Sequence, residues 1–193
     1  LDLRISSLVI RNGKVRWNDY SKKKLELLDV NHLTVSNLSA HILINHITDN
    51  SLDAAIKRLS FKEQSGLDLR NLEFRLKVDH RSAVATNFKL SLPRTDISLP
   101  LVRADYKMKG KSVDRRSLSF SATLDRSTVA PSDLGFLDPT LRGFSNRFNI
   151  EAKVRGTGSS VDLTRLRIST DDQSIIVRGK GRVDNLAHHP QWS

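Results

Sequence analysis

The chain has 193 residues, 38% of them hydrophobic, and a net charge of +11. That hydrophobic share is low for a domain with a two-sided core; the absence of cysteine rules out disulfides and thiolate metal sites, and no run nears the roughly 20 apolar residues of a membrane-crossing helix. The length fits one domain, and a start at Leu1 inside an apolar alternation, without initiator Met or signal-peptide pattern, is expected of a single segment, 1–193, of a larger protein.

Residues 3–11 and 14–20 read as a hairpin joined by Asn12-Gly13, the strongest short hairpin signal. Val15 and Trp17 continue the apolar alternation on its second arm. After Lys22-Lys23-Lys24, the one dense basic run, strands are expected near 25–36 and 38–47. Further strands are expected near 54–63, 66–79 and 82–92, with polar turns at 48–53, Ser65-Gly66 and His80-Arg81. Pro93 and Pro100 bracket 95–99, which should be short or at an edge because proline cannot donate to a ladder. Residues 101–109 and 117–125 pair around a basic loop, 110–116.

The stretch VAPSDLGFLDPTLRGF, 129–144, breaks the pattern. Ser132 and Asp138-Pro139 are N-cap signals, Leu134, Leu137 and Leu141 share a helical face, and Gly143 is a stop. One kinked helix or two helical turns are expected. Strands return near 145–155, 161–170 and 174–184, giving an all-β, meandering antiparallel sheet with one short helical insert.

A recurring step gives the sheet its expected shape. Leu3, Ile5, Leu8 and Ile10 follow the spacing apolar-x-apolar-x-x-apolar-x-apolar. So do Leu28, Val30, Leu33 and Val35; Ala54, Ile56, Leu59 and Phe61; Leu67, Leu69, Leu72 and Phe74; and Val161, Leu163, Leu166 and Ile168. The doubled x is polar or basic each time, as in Lys57-Arg58, Arg70-Asn71 and Thr164-Arg165. An unbroken strand would put the second apolar pair on the wrong face. Either a bulge, which inserts one residue and bends the strand, or a tight corner keeps both pairs on one side. Repeated bends over a one-sided apolar face predict a strongly curved open sheet, a half-pipe with a Leu, Ile, Val and Phe interior.

No constellation points to catalysis, and the chain is not expected to be an enzyme. His41 and His46 are five apart, which on a regular strand sends them to opposite faces, and no acidic partner recurs at metal-ligand spacing. Gly156-Thr157-Gly158-Ser159-Ser160 lacks phosphate-loop and nucleophile-elbow spacing and reads as a hairpin turn. Gly179 and Gly181 in the last strand suggest a bulge or a close backbone approach. No metal or cofactor is implied. The basic residues Arg75, Lys77, Arg178, Lys180 and Arg182 alternate along strands as a solvated outer face, while the aromatics fall on the apolar face. Nucleic acid, which needs stacking aromatics beside the cations, is therefore not an expected partner.

Several stretches in order resemble the AsmA/TamB-like family, in the form of the Bacteroidetes-type translocation and assembly module TamB. They are SSLVIRNGKVRWND (6–19), LLDVNHLTVSNLSAHI (27–42), LSFKEQSGLDLRNLEF (59–74), the insert 129–144 and IEAKVRGTGSSVDLTRLRI (150–168). The resemblance implies a β-taco, a curled sheet with a hydrophobic groove, acting as a bridge-like lipid carrier in the periplasm of Gram-negative bacteria. It implies an inner-membrane anchor in an N-terminal helix outside residues 1–193, phospholipid acyl chains as cargo, and a link to outer-membrane biogenesis through an assembly protein. About a dozen strands at roughly 4.8 Å would give a groove on the order of 55 Å long. The expected lining is Trp17, Val35, Phe61, Leu72, Phe74, Leu76, Phe88 and Leu90, taken as inward positions at strand centres. The alternative is an interaction module whose apolar face is closed by a second layer and whose basic face docks an acidic partner or an outer-membrane assembly protein.

Overall fold

The structure is a computed structural model that describes residues 6–25, 27–110, 112–184 and 191–192. It contains β1 (Ser7–Asn18), β2 (His32–Thr48), β3 (Ser51–Glu63), β4 (Asp68–Leu69), β5 (Asn71–Val78) and β6 (Ser82–Ser91). These are followed by β7 (Asp96–Lys109), β8 (Ser112–Val129), β9 (Phe148–Thr157), β10 (Ser160–Thr170), β11 (Ile176–Asp184) and β12 (Gln191–Trp192). All belong to one antiparallel sheet whose strands lie in sequence order, with β4 set aside on β3. The sheet is an open, unclosed meander.

Of the two forms expected for the insert, one kinked helix or two helical turns, it takes the second, as two 3-10 turns, Pro131–Leu134 and Pro139–Gly143. Asp138 caps the second by accepting the Thr140 N–H at 2.9 Å, as Asp-Pro predicts. Ser132 does not cap the first, which begins at Pro131 behind Ala130 and has no side-chain cap. Without an α-helix there is no common leucine face, and Leu137 is exposed.

Several turns expected from sequence are bulges inside longer strands. Asn12 takes φ 51° within β1, and Asn37 takes φ 53° within β2. The two extra residues offset one another across the ladder, so Leu8, Ile10, Gly13, Val15 and Trp17 face Ile42, Ala40, Leu38, Val35 and Leu33. There is no Asn12-Gly13 hairpin, and β2 is one strand rather than two. In β3 the extra residue is Lys57, between the pairs His41–Arg58 and Ile42–Ile56. In β6 it falls at Asn87 (φ 55°), in β8 at Arg126 (φ 37°) and in β10 between Leu163 and Leu166.

These irregularities run from strand to strand as a crease, and each bulge bends its strand and increases the local twist. The crease also explains Pro100, which lies inside β7, not in a short or edge strand. It sits between Leu99, opposite Phe88, and Leu101, opposite Thr86, and so faces the Asn87 bulge where the ladder is already interrupted.

Of the five doubled polar steps, Lys57-Arg58 and Thr164-Arg165 are bulges, and Arg70 separates β4 from β5. Asn31-His32 is not one: Leu28 and Val30 precede β2 in a loop. The first step involves Leu3 and Ile5, which lie outside the described residues. Leu69 pairs with Phe61, and Phe74 with Ile56, so the bulge in β3 returns Leu69, Leu72 and Phe74 to one face.

Candidate functional site

Residues directly opposed in antiparallel strands share a face, so the register maps both surfaces of the sheet. One row runs Ile44, Ala54, Leu76, Ala85, Val102, Ala122, Val154, Leu163 and Gly181 from β2 to β11. The next on that face is Leu52, Val78, Ala83, Ala104, Phe120, Gly156, Val161 and Val183. Gly156 gives the Phe120 ring its space, since a Cβ there would lie 2.5 Å from the ring tip.

The eight candidate lining residues all map to this face. Leu72 opposes Leu90, Leu76 lies between Ala54 and Ala85, and Phe88 opposes Leu99. The Phe74 and Phe88 rings stack across β5 and β6 with centroids 5.9 Å apart. Trp17, Val35 and Phe61 are not at strand centres. They lie toward the strand ends that carry the long loops, Trp17 on the edge strand β1 and Val35 opposite Glu63.

Glu63 gave no signal in the sequence, yet it marks a polar boundary of the apolar face. It is buried, and although burial opposes its ionisation, hydrogen bonds from Ser65 and Thr34 hold its carboxyl below the usual range.

The opposite face is an ion-pair lattice. Its row runs Asp53, Lys77, Val84, Arg103, Ser121, Arg155, Asp162 and Arg182. Arg75 grips Asp53 through two hydrogen bonds of 3.1 and 2.7 Å, and Asn45 adds a third at 3.1 Å. That grip, led by Arg75, holds the Asp53 carboxyl at about 2. Lys89–Glu73, Arg155–Asp162 and Arg165–Glu151 repeat the pairing. His41 and His46 both belong here, opposite Arg58 and Asp53; the extra residue at Asn45 overturns the expectation that they point apart. Among the described residues no cluster of His, Cys, Asp or Glu is placed to hold a metal.

The apolar face is not sealed. Only Ala40, Ala55, Leu69, Leu92 and Ala130 are buried apolar residues among those described, and no Ile, Val or Phe joins them. The chain exposes 13399 Å², against about 9,300 Å² for a compact monomer of 21.8 kDa. The buried polar set, Asp29, His32, Glu63, Thr95, Ser127, Ser169 and Thr170, clusters toward the strand ends that carry the long loops. There Arg94 donates to Asp133 and to the Ser145 carbonyl, and the Leu28 N–H donates to the Phe136 carbonyl at 3.1 Å. The insert thus reaches back along the rim from β8 to the β1–β2 loop.

No helix among the described residues is long and apolar enough to cross a membrane. In comparisons with family models, curated proteins and solved structures, nothing matches this chain.

Proposed function

We propose that the protein is a non-enzymatic lipid-carrying groove of the AsmA/TamB-like kind, and that phospholipid acyl chains lie along its apolar face. The observation that carries this reading is the continuous apolar surface from β2 to β11 with no second layer over it among the described residues. Eleven strands in series at about 4.8 Å span roughly 48 Å, longer than one acyl chain, so several could lie in line. Each CH₂ kept from water contributes ~0.8 kcal/mol. Because the contact is nondirectional, a chain moves along the trough without any one residue acting as a catalyst. Headgroups stay at the open, polar rim.

The setting follows from the sequence resemblance: the periplasm, between an inner-membrane anchor and an outer-membrane assembly partner, in support of phospholipid transport. A closed interaction module would need a layer covering Leu76, Phe74 and their neighbours. Its basic docking face would also have to compete with carboxylates already paired to Arg75, Lys89 and Arg155.

The test is mass spectrometry of organic extracts of the purified protein and of Phe74→Glu and Leu76→Glu variants that retain the native circular dichroism. A carboxylate at the trough centre must be desolvated by each passing chain, at a cost of several kcal/mol. Wild-type extracts should contain phospholipid and the variants at least tenfold less. Folded variants that keep their lipid would reject the trough as the binding surface.

A further inference from the structure

The loop 19–31 between β1 and β2 has no role in the trough, and its construction is unlike that of the other turns. Its base is closed by the Asp19 N–H donating to the Asn31 carbonyl at 2.7 Å. Its centre is the buried Asp29, whose carboxylate accepts the N–H groups of Leu25 and Asn31, each at 2.9 Å, and pairs with His32 Nδ1 at 2.8 Å. The Leu28 N–H anchors the loop to the Phe136 carbonyl of the insert. A loop held this firmly could turn its apolar side chains inward, yet Tyr20, Leu25 and Val30 are 91%, 58% and 69% exposed. Leu137, next to the anchoring Phe136, is 55% exposed. Between Tyr20 and Leu25 stand Lys22, Lys23 and Lys24, all exposed and without an ion-pair partner among the described residues. Three turns at the opposite strand ends, 49–50, 79–81 and 158–159, carry only Asp, Asn, His, Arg, Gly and Ser.

We infer that this loop docks the protein on the surface of an anionic phospholipid bilayer. Three cations beside outward Tyr, Leu and Val side chains match the two layers of such a surface. Lysine stems lie along apolar groups while their ammonium ends stay at the phosphates. The tyrosine ring and the aliphatic tips enter the headgroup boundary. The Asp29 hub supplies preorganisation, so little conformational freedom is lost on docking. The docking residues are separate from the trough, and the inference stands without acyl-chain carriage.

Co-sedimentation with vesicles of equimolar phosphatidylglycerol and phosphatidylethanolamine, and with pure phosphatidylcholine vesicles, at low and high salt, tests this. Wild-type protein should bind the anionic vesicles at least tenfold more tightly than the neutral ones. Changing Lys22, Lys23 and Lys24 to Gln should weaken binding tenfold or more and flatten its salt dependence. The triple change Tyr20→Ser, Leu25→Ser and Val30→Ser should weaken it comparably while leaving the salt dependence. All changes are at exposed loop positions, and circular dichroism verifies folding. Absence of wild-type binding overturns the inference, as does retention within twofold in either loop variant. A wild-type dimer that the serine variant converts to monomer also overturns it, in favour of a second copy covering the loop.

Discussion

Asn12, Asn37 and Asn87 each occupy the left-handed region, with φ between 51° and 55°. An L-residue there brings Cβ close to the following carbonyl, and asparagine tolerates this better than most because its short amide can bond locally. A β-branched side chain tolerates it least. Asn87→Val is therefore expected to destabilise by about 1–2 kcal/mol, and Asn87→Gly to be neutral within about 0.5 kcal/mol, by urea denaturation. Equal midpoints for the two would show that this bulge conformation is not what selects asparagine. Asp29 acts at the same scale through its charge. Hydrogen bonds, first from Leu25 and then from Asn31 and His32, hold its carboxyl at about 2, below the ordinary 3.8. The folded chain thus takes up this proton less readily than the unfolded chain. Its stabilising contribution is full above about pH 4 and is lost as pH falls through about 2. The Leu25 and Asn31 amide resonances should shift across that interval, and the loop should loosen at pH 7 in Asp29→Ala. Resonances unchanged down to pH 2 would contradict the hub.

At the scale of strands, alternation made β3, β5, β6 and β10 legible within a few residues, because a one-sided sheet writes its inward face directly into the sequence. The crease was legible only where apolar residues flank it. Lys57-Arg58 and Thr164-Arg165 interrupt an apolar phase that resumes, so a bulge could be inferred. Asn12-Gly13 has the same backbone requirement as a hairpin turn. What separates the two is the partner residue, Leu38, which no local pattern reveals. Pro100 is hidden for a related reason: its place inside β7 depends on the Asn87 bulge in the neighbouring strand. The eight candidate residues share one face in the register, but Trp17 lies toward the end of β1, because the Asn12 bulge leaves one long strand where local pattern reads a hairpin, and Val35 and Phe61 lie toward the ends of β2 and β3 that meet at Glu63. Register also sets a prediction. Deleting Lys57 should turn either Ile56 and Ala54 or Leu59 and Phe61 onto the charged face, at a cost of at least about 2 kcal/mol. Lys57→Ser, which keeps the count, should cost less than about 1 kcal/mol. Thermal melts of the two variants that coincide would mean β3 is free to slip.

The molecule as a whole is extended, with about 4,100 Å² of surface beyond that of a compact chain of its mass. A compact 193-residue domain has a radius of gyration of about 16 Å. Small-angle scattering from the monomer should give a value clearly above that. A value at 16 Å would mean that the trough collapses or is filled in solution. The outer ion-pair lattice keeps the opposite face wetted, so the two surfaces of one sheet meet different surroundings.

Because the strands follow one another in sequence order, each depends on its two ladder neighbours and on little else. Such a chain behaves as a one-dimensional array, whose stability is close to a sum of nearest-neighbour terms. It can form by zippering outward from any hairpin, with no closure of distant strands to wait for. It frays from β1 and β12, while β5 to β7 open last, whatever the total number of strands. Length is then a free variable: inserting or removing a hairpin changes the reach of the trough by about two strand spacings, close to 10 Å, without a new core having to be devised.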